Sequence, residues 1–219
     1  MSMRDDTVAS YGEVRSGLST EWADWLQTIG VTPVAIPNGA ADVPGALTRV
    51  NPDIVILTGG NNVVAGDDAG RVSERRNRTE TEMVDWALAA GKPVVGFCRG
   101  LQFLNGYFGG GIRTELPGPS KSHVAKVHNV RLDGFLRDLA GTEEVDVNSF
   151  HDQGVLAGDV AEGFEVCALS EDGVVEGIRH LTAPIAALQW HPERNQGMPE
   201  LCGRLIHSIL EPNKWEVSA

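Results

Sequence analysis

The stretch Val94-Val95-Gly96-Phe97-Cys98-Arg99-Gly100-Leu101-Gln102 constrains this chain more than any other. A β-branched run led in by Lys92-Pro93 breaks at Gly96, and one cysteine stands between two glycines before a helical pattern from Leu101 to Tyr107. A strand that turns directly into a helix needs small residues around the corner, because the backbone folds back tightly on itself. The unpaired N–H groups and positive dipole end of that helix favour thiolate over thiol, and they can hold a developing oxyanion. A thiol so placed can attack a carbonyl. The same letters also describe a plain buried cysteine at a strand end, so the choice between the two rests on the remainder of the chain.

With 219 residues and no break in composition, residues 1–219 read as one domain with a well-buried core. A formal net charge of −12 argues against nucleic acid and anionic membranes as partners, since both need a basic face. A local group of arginines could still hold a small anionic substrate. The N-terminus has no apolar leader and no run is long enough to span a bilayer, so a cytoplasmic setting is expected. The three cysteines, Cys98, Cys167 and Cys202, are widely and irregularly spaced. They fit neither a disulfide framework nor paired metal ligands. No set of His, Cys and carboxylates shows metal-ligand spacing, so neither a metal nor another cofactor is expected.

Taken in order, residues 1–19 are polar with little periodicity. Trp22, Trp25, Leu26 and Ile29 predict a helix from Thr20 to Gly30, Val31–Ile36 a strand, and Asp42–Val50 a short helix. Asp53–Leu57 is a continuous apolar run of the kind a doubly covered parallel strand requires. It ends in Thr58-Gly59-Gly60-Asn61, where glycines let backbone N–H groups approach a ligand; an ordinary glycine turn has the same letters. The charged stretch Gly66–Arg78 reads as a solvated loop, and Met83, Trp86, Ala87 and Ala90 as a helix from Thr79. Alternating strands and helices imply a parallel sheet with its site at the carboxyl ends of the strands, Gly60 and Cys98 on one rim. Further strands are expected at 122–132, with His123 and His128, and at 145–150. Phe164–Leu169 and Val174–Ile178 flank Glu171-Asp172-Gly173 as a hairpin. Ile185–Trp190 then leads into His191-Pro192-Glu193, and Leu201, Leu205, Ile206 and Ile209 mark a final helix.

A nucleophilic thiol needs a base, and the base gains from a carboxylate that orients it. His191 and Glu193, two residues apart at a strand end, can lie on one face. Together with the cysteine corner and the upstream glycine pair they make a constellation. At these residues the chain resembles the class I glutamine amidotransferase-like superfamily, also grouped as C26 cysteine peptidases. The motifs that carry the resemblance, Thr58-Gly59-Gly60-Asn61, Gly96-Phe97-Cys98-Arg99-Gly100-Leu101-Gln102 and Trp190-His191-Pro192-Glu193, occur in the family's order and span most of the chain.

The resemblance implies an α/β, flavodoxin-like fold, with a mostly parallel central sheet covered by helices on both faces and a C-terminal β-hairpin extension. It also implies a catalytic Cys98, His191 and Glu193, and an oxyanion hole from the N–H groups of Gly60 and Arg99. Gly59, Asn61, Gln102, Asn148, Ser149, Phe150 and His151 would line a γ-glutamyl pocket. Arg99 after the cysteine is similar to the free-standing γ-glutamyl hydrolases, and Asn148-Ser149-Phe150-His151 is similar to the pattern in the γ-glutamyl-GABA hydrolases among them. Arg76-Asn77-Arg78-Thr79-Glu80 adds a likeness to the γ-glutamyl-CDP-amidate hydrolases of capsule phosphoramidate biosynthesis, with Asn77 where relatives often carry Asp. Arg75, Arg76 and Arg99 are candidate phosphate contacts; the alternatives are a surface charge cluster for the first two and a salt bridge from Arg99 to Glu80. The expected partner is a small γ-glutamyl substrate, with a homodimer or a synthetase partner both compatible.

Overall fold

The computed structural model describes residues 1–65, 73–118 and 123–211. The first part of the charged stretch expected as a loop, 66–72, lies outside them, as does Ser122. Two short strands, β1 (Arg4–Val8) and β2 (Glu13–Gly17), pair antiparallel as a separate ribbon. Both its faces are largely wet, so no apolar alternation marks it in the sequence.

Helix α1 (Thr20–Thr28) starts at Ser19, whose hydroxyl accepts from the Glu21 N–H, and α2 (Val43–Val50) at Asp42, whose carboxylate accepts from Gly45 N–H. Strand β3 (Val55–Leu57) follows. Helix α3 (Glu74–Ala89) begins a turn and more before Thr79, because Ser73 caps it at the Arg76 N–H. Its first turns carry Arg76 and Glu80 inward, so apolar spacing alone does not reveal them. Then come β4 (Val94–Phe97), α4 (Arg99–Tyr107), β5 (Val124–Leu132), α5 (Gly134–Ala140) and β6 (Glu144–Phe150). A hairpin of β7 (Phe164–Ser170) and β8 (Val175–His180) leads to β9 (Ile185–Leu188) and α6 (Pro199–Leu210).

The main sheet runs β3-β4-β9-β8-β7-β5-β6. β3, β4 and β9 are parallel neighbours, and the remaining pairings are antiparallel. Following those senses across the sheet, only β5 and β8 run against the other described strands. The expected strand at Val31–Ile36 does not form. Pro33 has no N–H to offer a ladder, and the segment is held to the start of the chain by the Met1 ammonium on Val34 O (2.7 Å) and Ile36 N on Met1 O (2.9 Å).

Alternation along the central strands explains the layers. Ile56, Val95, Phe97, Ala186 and Leu188 join Trp22, Trp25, Leu26 and the apolar stripe of α6 on one face. Val55, Leu57, Val94, Ile185 and Ala187 join Val43, Leu47, Met83, Val84, Leu101 and Leu104 of α2, α3 and α4 on the other. Phe97 sits against Trp22 and Trp25 with ring centroids 5.5 and 5.8 Å away. The strand that leads into Cys98 is therefore anchored from both sides one residue before it.

Candidate active site

Cys98 joins β4 to α4 with φ 53° and ψ −107°, a conformation that only a well-braced non-glycine residue sustains. The bracing is visible: Cys98 N–H donates to Leu188 O at 2.8 Å, and the Cys98 carbonyl accepts from Leu101 N–H at 3.0 Å. The two glycines are required by contact. A Cβ at Gly96 would stand 2.6 Å from the Gly100 carbonyl carbon, and one at Gly100 2.5 Å from Leu57 O.

His191, just past β9, is held from several directions. Asn148 on β6 accepts from His191 N–H (2.9 Å) and donates to His191 O (2.8 Å) and Asn195 O (2.9 Å). Phe150 meets the ring edge-on at 5.7 Å, and Gly59 leaves room for it, since a Cβ there would lie 2.5 Å from Cε1. Nδ1 lies 2.8 Å from Glu193 Oε1, so the proton belongs on Nδ1 and the other ring nitrogen is left for the sulfur. Burial alone would raise the Cys98 thiol. The His191 charge and hydrogen bond overcome that and hold it below its ordinary value. His191 mirrors this: burial disfavours its charge, but Cys98 and Glu193 lift it to about 9. The pair is thus set up as thiolate and imidazolium, able to attack a carbonyl and protonate a leaving nitrogen.

A buried ionic chain joins the two sides of this rim. Glu80 of α3 receives Arg76 Nε at 2.9 Å and also pairs with Arg99 Nη1, all three side chains being at most 1% exposed. Arg76 donates onward to Thr58 O (2.6 Å) and Gly59 O (2.9 Å), while Arg99 donates to Asn77 Oδ1 and Asn77 to Val63 O (3.2 Å). Burial works against the Glu80 charge, yet Arg99 and Arg76 keep its carboxyl below the ordinary range. Burial brings the Arg99 guanidinium down to about 10 against the pull of Glu80. Gly60, at φ 118°, lies directly over Arg76 and Arg4, where a Cβ would be 2.8 and 2.7 Å from their atoms.

These contacts sort the residues expected at the site. Cys98, His191, Glu193, Gly59, Asn148 and Phe150 come together, with Gly60 and Arg99 on the adjoining loop and helix start. Arg76 takes a different place from the anion contact expected of it: fully buried, it spends its guanidinium on Glu80 and the Thr58-Gly59 carbonyls. Arg75 is partly exposed and pairs with Asp5 at 3.4 Å. Asn61 is turned to the Asp5 backbone, accepting from its N–H at 2.8 Å and donating to its carbonyl at 2.9 Å. Gln102 and His151 both donate to Gln153 O, at 2.8 and 2.9 Å, and Ser149 donates to His123 O at 2.8 Å. Sequence reasoning missed the fully buried Glu176, whose one signal was a lone acid in an apolar strand, Val174-Val175-Glu176-Gly177-Ile178.

Comparison with known proteins gives the family. The chain is 33% identical over 202 residues to anthranilate synthase component 2 of Thermococcus kodakarensis, covering 89% of this chain and 91% of that protein. It is 30% identical over 146 residues to the γ-glutamyl-CDP-amidate hydrolase of Campylobacter jejuni, covering 66% of this chain and 64% of that one. A crystal structure of a glutamine amidotransferase from Thermotoga maritima superposes with a TM-score of 0.63 at 15% identity, over 87% of this chain and 91% of that chain, which speaks for the fold. The family model described as Peptidase C26 matches residues 2–193, from the buried start of the chain to Glu193. The chain belongs to the peptidase C26 family of glutamine amidotransferase-like C–N amide hydrolases, on a flavodoxin-like fold.

Proposed function

We propose that this protein hydrolyses a γ-glutamyl amide through a γ-glutamyl thioester on Cys98. The observation that carries the reading is the His191 ring held between Glu193 and the Cys98 sulfur. Cys98 thiolate attacks the γ-carbonyl, and the oxyanion is met by the N–H groups of Gly60 and Arg99, the latter being the first residue of α4 and without an intrahelical partner. His191 protonates the departing nitrogen. Water then enters, His191 removes its proton, and glutamate leaves from the thioester. Glu193 orients the imidazole and favours its charged form.

The proposed substrate is γ-glutamyl-CDP-amidate, with release of cytidine diphosphoramidate as in capsule or other surface-polysaccharide biosynthesis. Similarity to the Campylobacter enzyme supports this, together with Arg76-Asn77-Arg78-Thr79-Glu80 and Cys98-Arg99-Gly100. A second reading is favoured by the longer match to anthranilate synthase component 2: a glutaminase subunit supplying ammonia to a separate synthetase. The test is glutamate release by the purified chain from γ-glutamyl-CDP-amidate, L-glutamine and γ-glutamyl-GABA, with Cys98→Ala as the blank. Fast turnover of the nucleotide conjugate alone, absent in the blank, is expected. Slow release from all three, stimulated by a synthetase, would favour the second reading. Turnover retained by Cys98→Ala would overturn both.

A further inference from the structure

Beside the thiol, the fold assembles a second cluster of chemistry-bearing groups that no spacing in the sequence announces. Glu176 of β8 is fully buried, and three histidines converge on its Oε1: His128 Nε2 at 3.5 Å, His151 Nε2 at 3.6 Å and His123 Nδ1 at 3.8 Å. The histidines come from different parts of the antiparallel wing, His123 just before β5, His128 within it and His151 just after β6. Their rings are in contact, His123 lying 4.9 Å from both His128 and His151 between centroids. These separations exceed good N–H···O hydrogen bonds. Among the described residues, both Glu176 oxygens, His128 Nε2 and His151 Nε2 are buried and make no hydrogen bond of good geometry, only these longer mutual contacts. Orphaned polar atoms facing one another at such cost call for something between them.

We propose that His123, His128 and Glu176 bind one divalent transition-metal cation of the zinc class, through His123 Nδ1, His128 Nε2 and the Glu176 carboxylate. These ligand atoms all lie within 4.8 Å of one another. Two ligands each about 2.0–2.1 Å from a tetrahedral zinc stand roughly 3.3 Å apart; His128 Nε2 and His123 Nδ1, at 3.5 and 3.8 Å from Glu176 Oε1, need to close by at most about half an ångström, and the widest separation in the set, within 4.8 Å, by up to about 1.5 Å. The ring orientations match the role. His123 has its other nitrogen 2.9 Å from Asp172 Oδ2, and Asp172 is itself held by Ser170 Oγ at 2.6 Å. A carboxylate on the far nitrogen fixes the tautomer that leaves Nδ1 free to ligate. His151, whose Nδ1 is engaged by Gln153 O, backs the carboxylate from the Cys98 side. His128, with a side chain 20% exposed, is the entry point. Two imidazoles and a carboxylate select zinc or its neighbours over magnesium and calcium, which prefer all-oxygen sites. Three protein ligands leave one position for water. Bound there, the ion would tie β5, β8 and the Glu171-Gly173 turn together and so favour the folded state.

The experiment is titration of metal-free protein with Zn2+ against a chromophoric chelator, in a Cys98→Ala background so that the thiolate and His191 do not contribute a site of their own. One zinc per chain is expected. In that background His128→Ala should weaken binding by about 100-fold or more, and Asp172→Asn, which changes only the support of His123, by about 10-fold. Glu176→Gln should abolish binding; His128→Ala, at a partly exposed position, keeps the test valid should the buried variant fail to fold. Zinc should also raise the thermal midpoint of Cys98→Ala and leave that of Cys98→Ala/His128→Ala unmoved. Absence of binding in the Cys98→Ala chain, or equal binding with and without His128, overturns the proposal.

Discussion

Replacing Glu80 by Gln should be strongly destabilising. Glu80 is the only acid paired with both Arg76 and Arg99 among the described ion pairs, and all three side chains are sealed from solvent. The substitution keeps the volume and removes the one negative charge, leaving two buried guanidinium groups facing an amide. Breaking a buried pair by removing one partner costs about 3–5 kcal/mol. For a chain of this size the urea m-value lies near the upper end of the usual range, about 3 kcal/mol/M, so the midpoint should fall by roughly 1–1.7 M. The pH dependence checks the cause. Glu80 is held below its ordinary value of 4.5 in the fold. Its charge therefore contributes stability that is present above the unfolded pKa and is lost as pH falls through the folded one. The gap between wild type and Glu80→Gln should accordingly be full near pH 7 and shrink in acid, where protonated Glu80 resembles Gln. Urea unfolding followed by tryptophan fluorescence from pH 3 to 7 measures both. Because Arg76 also carries the Thr58 and Gly59 carbonyls, glutamate release should fall about 10-fold or more in native conditions. A midpoint shift under about 0.3 M, or a gap that widens in acid, would refute the view that this chain of charges holds the rim together.

Three further outcomes follow from the site. Iodoacetamide should alkylate Cys98 rapidly at pH 7, because its thiolate persists below the ordinary thiol value of 9.0; Cys167, pushed up to about 12 by burial, should stay inert, and His191→Ala should slow the reaction at Cys98. A pH profile of alkylation that simply follows an unperturbed thiol would contradict the ion pair. On the alkaline side, glutamate release should decline above about pH 9 as His191 loses its proton. Gly59→Ala should lower kcat by about 100-fold with little change in KM, since its Cβ would press within 2.5 Å of the His191 ring and a misplacement near 1 Å costs about that much; unchanged kcat would show that Gly59 does not seat the imidazole.

Local chemistry made the elbow legible. Gly96, Cys98 and Gly100 occupy fixed offsets across a strand-to-helix turn, and the space is so tight that a Cβ at either glycine would come within 2.6 and 2.5 Å of backbone atoms, which is the steric reason for those letters. The buried parallel strands β3, β4 and β9 were legible for a similar reason: doubly covered strands must be apolar at every step, and Val55-Ile56-Leu57 and Ile185-Ala186-Ala187-Leu188 are. The β1–β2 ribbon and the early start of α3 were not, because one has two wet faces and the other hides charges rather than apolar side chains.

What the chain by itself determined about this protein is the cysteine corner, the histidine with an acid two residues on that are proposed as nucleophile, base and orienting group, and the alternation that sets helices on both faces of a sheet, since each follows from short-range spacing. Tertiary structure decided which of the charges far apart in the chain neutralise one another. Arg76 and Glu80 stand one helical turn apart on α3, but Arg99 reaches them only because α3 packs across β3 and the start of α4, and His123, His128, His151 and Glu176 meet only because the antiparallel strands that carry them are folded edge to edge. Ion pairing and metal ligation act over a few ångströms of space, and no periodicity along the sequence encodes such distances between residues tens of positions apart.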